Sequence, residues 1–172
     1  MSNDGALTQP NLRLRDRPID IFFMVIFSLF FITSIIADAM SALNLNADPG
    51  AANVFLEANN SWYADADILF RNPPFWMRIV TGLSAFVYMP FYAVLVAALA
   101  RGWNWIQLPS VIYATMISTI TGIIVFGVEF FGEPEWRSPR PLKFLAFNIA
   151  YVVIPLILLV RMWKPLPFKR KF

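Results

Sequence analysis

The sequence predicts an all-α, polytopic membrane protein: a bundle of four transmembrane helices around an intramembrane pocket. Three observations predict it. Of 172 residues, 58% are hydrophobic and 15% charged, with a mean hydropathy of +0.58. A soluble domain is about half apolar and about a quarter charged. Four uncharged runs stand between charged residues, and each carries one stripe of polar side chains at helical spacing.

The runs come first. Asp20 and Asp38 bracket Ile21 to Ala37, and Arg78 and Arg101 bracket Ile79 to Ala100. Arg101 and Glu129 bracket Gly102 to Val128, and Lys143 and Arg161 bracket Phe144 to Val160. A spanning helix needs about 20 apolar residues, and flanking charges can snorkel to the interface. Helices are expected near 19–42, 75–100, 106–131 and 142–163. The first run begins too late, and lacks a small-x-small cleavage site, for a signal peptide. The bundle domain covers 19–165, between a basic tail at 1–18 and another at 166–172.

The connections differ. Residues 43–74 form a long acidic segment with Asp48, Glu57, Asp65 and Asp67 against a single Arg71. "VFLEANNSWYADADILF" within it is apolar enough for one or two short helices folded over the bundle mouth as a lid. Pro73 and Pro74 end that segment and suit the first turn of the second span. "RGWNWIQ" is a tight turn whose Trp103 and Trp105 suit a membrane interface. Pro90 and Pro155 each free a backbone carbonyl one turn earlier.

Basic residues set the orientation. Arg13, Arg15, Arg17, Arg101, Arg161, Lys164, Lys169, Arg170 and Lys171 fall on one side, and Arg71, Arg78, Arg137, Arg140 and Lys143 on the other. Both termini are therefore expected in the cytoplasm. The membrane is the endoplasmic reticulum in a eukaryotic cell or the inner membrane in a bacterium. Asn59-Asn60-Ser61 forms a glycosylation sequon on the far side, in a segment expected to pack close to the membrane.

Composition also excludes chemistry. Cys and His are both absent, so there is no disulfide framework, no thiol nucleophile and no near-neutral imidazole. No phosphate loop or nucleophile elbow is present, so neither cofactor nor resident metal is expected. Basic residues gathered at span ends fit membrane topology and not nucleic acid.

The stripes nominate a site. Ser34, Asp38 and Ser41 share a face of the first helix, and Thr81, Ser84 and Tyr88 one of the second. Thr115, Ser118, Thr119 and Gly122 share one of the third, and Asn148 and Tyr151 one of the fourth. Polar groups in lipid turn inward, toward a packing partner or a cavity. Small residues also mark close helix packing. A carboxylate inside a span is a functional candidate, so Asp38 leads, with pairing to Arg71 or Arg78 as the rival account. Glu129 reads as an interfacial charge near Arg137 or Arg140. Trp62 in the outer segment and Tyr113 in the third helix are candidate aromatic walls.

"WYADADILFRNPPFWM", "YMPFYAVLVAALARGWNWIQLPSVIYATM" and "NIAYVVIPLILLVRMW" together resemble the EXPERA superfamily. That group includes the sigma-2 receptor, which these segments resemble, and the emopamil-binding protein, a sterol isomerase. The resemblance spans roughly 19–165 and rests on the order and spacing of the segments. It implies a four-helix bundle whose pocket opens laterally to the membrane, and a homodimer is the assembly expected. It places the family's first-helix acid at Asp38 and its loop acid at Asp67, with Asp65 the alternative. These acids are expected to hold a ligand amine. Asn148 and Tyr151 match the Asn and aromatic of the isomerase's last helix. Ser84 stands where the family carries a second-helix Glu, and Ser34 where the isomerase carries His. Moving a sterol double bond needs a positioned acid and base. The resemblance therefore implies the binding fold without isomerase chemistry.

The function expected is non-catalytic binding of a sterol-like or other hydrophobic, amine-bearing lipid, in lipid homeostasis or transport. Asp38, Asp67, Asn148, Tyr151, Ser34, Ser84, Tyr113, Thr115 and Trp62 are the expected binding residues. One alternative is a lipid isomerase using Asp38 with Asp67 or Glu129. Another is an assembly or trafficking partner acting through its surface.

Overall fold

A computed structural model describes residues 12–45 and 54–168. Lys169, Arg170 and Lys171 of the basic tail, and Asp48 of the acidic segment, lie outside the described residues. Among the described residues, four helices are long and apolar enough to cross a membrane: α1 (Pro18–Ala42), α4 (Phe75–Arg101), α5 (Asn104–Phe131) and α6 (Pro141–Met162). Between the first two lie the short outer helices α2 (Val54–Ala66) and α3 (Ile68–Arg71).

The starts and stops follow local chemistry. Pro18 and Pro141 occupy first turns, where a missing N–H costs nothing. Pro74 precedes the first residue of α4. Gly102 ends α4 at φ 69°, a left-handed cap that suits a residue without Cβ. The chain then re-enters the bundle through Trp103 and Trp105, whose rings stack 6.1 Å apart.

α1 packs along α4, and α5 along α6. Two apolar clusters hold the bundle. The larger, near the termini, joins Phe23, Phe27 and Phe30 of α1 to Tyr92, Leu95 and Leu99 of α4, Tyr113 of α5 and Leu158 of α6. The smaller lies at the other end, where Leu69, Met77, Val125 and Phe144 bring α3, α4, α5 and α6 together. At Gly122 a Cβ would come within 3.2 Å of Val152, so α5 and α6 need the glycine to pack closely there.

Three spans widen into a turn of i→i+5 bonding: α1 at Ser34–Asp38, α4 at Ser84–Tyr88 and α5 at Ile120–Val125. In α4 the cause is visible, since Pro90 supplies no N–H to the carbonyl one turn earlier. Such wide turns concentrate at functional sites. Here all three fall between the two apolar clusters.

The first and last described residues meet at the opposite end of the bundle from α2 and α3. The Leu12 N–H donates to the Phe168 carbonyl at 2.9 Å. Asp20, fully buried, accepts from Arg17 at 2.8 Å and from Arg161 at 3.0 Å through both of its oxygens. Both guanidinium groups lie over the Phe168 ring, at 4.8 and 5.4 Å. Three residues that read as span-end charges thus form one ion cluster that clasps the start of α1 to the end of α6.

Candidate ligand cavity within the helix bundle

Between the two apolar clusters lies a cavity of about 230 Å³. Met77, Val80, Ile117, Val125, Phe126 and Phe144 give it apolar walls. Asp38, Asp67, Ser84, Thr121, Asn148 and Tyr151 add polar groups. The outer segment closes one side, with Asn59, Trp62 and Tyr63 of α2 and Phe70 of α3.

Asp38 ends the wide turn of α1. Its Oδ2 accepts from Ser84 Oγ at 2.6 Å and from Ser34 Oγ at 2.9 Å, and the two hydroxyls lie 3.3 Å apart. Arg78, one of the two rival arginine partners, turns instead to the Ala42 carbonyl at 3.3 Å. Both hydrogen bonds to Asp38 fall on Oδ2, which leaves Oδ1 for a ligand. Ser34 is buried behind Asp38 and acts through it, without lining the cavity itself.

The fourth span sets the second polar wall. Tyr151 donates to Thr33 Oγ1 at 2.8 Å, and Thr33 donates onward to the Phe30 carbonyl at 3.1 Å. Its ring stacks on Phe30 at 4.3 Å, so the phenol is fixed. Asn148 gives one amide hydrogen to the Phe144 carbonyl at 3.0 Å and lines the cavity beside Tyr151.

Of the two loop acids, the structure puts Asp67 in the wall. Its side chain caps α3, accepting from the Phe70 N–H at 3.3 Å, and the residue is 3% exposed. Burial raises its carboxyl above the usual range, with the Asp38 charge adding to the rise. Asp65 instead tethers the segment to α6 and the turn before it, through Lys143 and, at 3.0 Å, Arg140. Its carboxyl is lowered, first by the Lys143 hydrogen bond. Trp62 stands in the wall against Phe147 at 4.6 Å, with the Lys143 ammonium 5.3 Å from its ring.

Some expectations need correction. Thr115 faces outward and donates to the Val111 carbonyl at 2.9 Å. A threonine hydroxyl can use its own helix in this way, so nothing forces it inward. The inward face of α5 is that of Ile117, Ile120, Thr121 and Val125. Tyr113 is not in the wall either. It sits one layer behind, donating to Tyr92 Oη at 3.2 Å and meeting the Tyr88 ring edge-on at 5.2 Å. Glu129 is not an interfacial charge beside an arginine. It is buried, with its carboxyl against that of Asp67, while Arg137 donates to the Gly132 carbonyl and Arg140 pairs with Asp65. The sequon Asn59 spends its amide on the Ile36 carbonyl at 2.8 Å in the cavity wall.

One site residue was missed. Tyr88 lines the cavity, is 4% exposed, and its hydroxyl has no hydrogen-bond partner among the described residues. Its place on the stripe with Ser84 was the available signal. What marks it is the orphaned hydroxyl, which only packing reveals.

These features define a class: a four-span, all-helical integral membrane protein with a polar-anchored cavity between its spans. Residues 55–162 match the family described as EXPERA (EXPanded EBP superfamily), and the chain belongs to it. It is similar to sigma intracellular receptor 2 of Xenopus tropicalis, with 30% identity over 112 residues. The match covers 59% of this chain and 64% of that relative.

Proposed function

We propose that this protein binds a sterol-like or other hydrophobic lipid in its intramembrane cavity, without transforming it, and serves lipid homeostasis or transport. The observation that carries the reading is Asp38, a carboxylate set in apolar walls and fixed by two serine hydroxyls so that one oxygen remains for a ligand. A low-dielectric site strengthens an ion pair, so the ligand's polar end is an amine or a hydroxyl. Asp67, Asn148 and Tyr151 complete the polar contacts, and Trp62 supplies an aromatic wall. The similarity to a protein named as a receptor supports binding over catalysis.

The test is binding of an amine-bearing lipophilic probe to the purified full-length protein. Asp38→Asn is expected to weaken it about tenfold or more, since about 1.4 kcal/mol is lost per decade. Unchanged affinity in that variant overturns the reading. Lipid extraction of the wild-type preparation identifies what co-purifies. Conversion of added sterols to product, read by mass spectrometry, would favour the isomerase alternative. Native mass spectrometry of the same sample checks the homodimer, and a stable foreign protein subunit in it would favour an assembly role.

We infer further that both termini are cytoplasmic, from nine basic residues on their side against five on the other. Protease protection of an N-terminal tag in sealed vesicles tests this. The endoplasmic reticulum, or a bacterial inner membrane, is the compartment that fits.

A further inference from the structure

A second pair of acids joins the outer helices to the third span. Asp67 begins α3 and is 3% exposed, and Glu129 lies in the last turns of α5 and is 1% exposed. Their carboxyls meet side chain to side chain at hydrogen-bonding range. Two ionised carboxylates offer only acceptor oxygens, so this contact needs a proton between them.

A backbone donor cannot replace that hydrogen, because it leaves the two carboxyls as acceptors toward each other. Among the described residues, no donor reaches Oε1 or Oε2 of Glu129 in hydrogen-bond geometry. The backbone N–H groups of Leu69 and Ser138 lie near, but that of Ser138 goes to the Glu129 main-chain carbonyl at 3.1 Å. The charged and titratable groups around the pair do not neutralise it. α1 contributes Asp38, whose charge acts on Asp67, and α2 contributes Tyr63, which feels the charges of Asp67 and Asp38. Asp65 of α2 occupies Arg140 and Lys143. Arg137 turns to the Gly132 carbonyl and Arg78 of α4 to the Ala42 carbonyl. Arg71, exposed at the end of α3, has an interaction of its own and is not among the groups that act on either acid.

The pair sits where the outer segment is held down. Ser138 Oγ donates to the Ala66 carbonyl at 2.6 Å, one residue before Asp67. Asn59 and Tyr63 reach the Ile36 and Ala37 carbonyls of α1 at 2.8 and 3.5 Å. These neutral ties do not titrate between pH 5 and 9, and the Asp65 tether is lost only in acid.

We propose that Asp67 and Glu129 share one proton, and that this proton is a latch holding α2 and α3 against the bundle, so that this side of the cavity loosens when the proton leaves. With the proton in place the pair is a hydrogen bond carrying one charge. Without it, two like charges face each other out of water, and separation is the relief. The sign follows. A carboxyl raised in the closed state stabilises closure at low pH, and that contribution is lost as pH rises through its titration. The latch gates the same cavity that the lipid-binding reading invokes, but its operation needs no ligand.

Hydrogen–deuterium exchange on the full-length protein in detergent, corrected for intrinsic exchange chemistry, reads the latch directly. Peptides covering 58–71 are expected to lose protection by about tenfold or more between pH 5.5 and 8.5, while peptides from the second half of α6 stay constant. In Glu129→Gln the amide N–H replaces the shared proton, and protection of the segment should lose most of its pH dependence. Asp67→Asn should do the same from the other side, and serves if the first variant folds poorly. A flat wild-type profile overturns the latch, as does a wild-type slope retained in either amide variant. A structural role alone would change the level of protection and not its slope. Because the readout is the segment itself, a failed latch and a failed lipid-binding assay remain separate results.

Discussion

Ser84 of the second span places its hydroxyl 2.6 Å from the Asp38 carboxylate of the first. This bond crosses between helices at the level where both widen, and it fixes which oxygen of Asp38 is free. Removing it in Ser84→Ala leaves a half-buried acceptor short of one donor. The expected cost is about 1–3 kcal/mol, seen as a lower melting temperature in detergent. Ser34→Ala, removing a bond at 2.9 Å within one helix, should cost less.

Tyr88→Phe separates binding from stability. Its hydroxyl is buried without a partner, so deleting it should leave the ligand-free fold unchanged or up to about 1–2 kcal/mol more stable. Affinity for a hydroxyl- or carbonyl-bearing ligand should fall in the same variant. A thermal-shift assay with and without the probe reads both effects, and a destabilised variant with full affinity contradicts the assignment.

The clasp at the chain ends should be costly to break. Asp20→Asn leaves Arg17 buried and Arg161 largely buried without their counter-ion. Loss of one partner of a buried ion cluster costs about 3–5 kcal/mol. Thermal unfolding of purified protein is expected to show that loss, with the Leu12–Phe168 pairing becoming protease-sensitive.

The two loop acids should respond to pH with opposite sign. Asp65 is lowered by Lys143 and Arg140, so its tether is complete above the ordinary carboxylate pKa of about 4 and fails as pH falls below it. Asp67 is raised by burial, so its contribution is complete in acid and fails as pH rises. Lys143→Met should therefore loosen residues 58–66 at neutral pH and reduce their further loosening near pH 3, with Arg140 keeping the remainder. Exchange protection of that stretch in the variant, measured at both pH values, checks it.

Thr115→Ala should leave probe affinity unchanged, because its hydroxyl faces away from the cavity and bonds its own helix. A clear loss of affinity would return Thr115 to the site.

The Thr115 error shows why stripes of Ser and Thr misled. A hydroxyl in a helix can satisfy itself on the carbonyl four residues back, as Thr115 does on Val111, Ser28 on Met24 and Ser110 on Ile106. Its polarity then says little about which way it faces. A carboxylate has no such escape, because it cannot donate to a carbonyl while ionised. Asp38 was therefore legible from sequence where Thr115 was not. Tyr113 was misplaced by a single layer, since period alone does not separate a wall from the packing behind it.

The sequence by itself determined the four spans, because apolar length must match the bilayer and charged residues mark where each run stops. It also nominated Asp38 as an inward-facing carboxylate and allowed short helices in the outer segment to fold over the bundle. Tertiary structure alone decided which loop acid enters the cavity, that Glu129 meets Asp67 instead of an arginine, and that Asp20 gathers two arginines from opposite ends of the chain. The reason is distance along the chain. Spans and stripes are local properties of one helix, whereas Asp67 and Glu129, or Asp20 and Arg161, come together only once wide turns and helix packing have set the rotation of each helix against its neighbours.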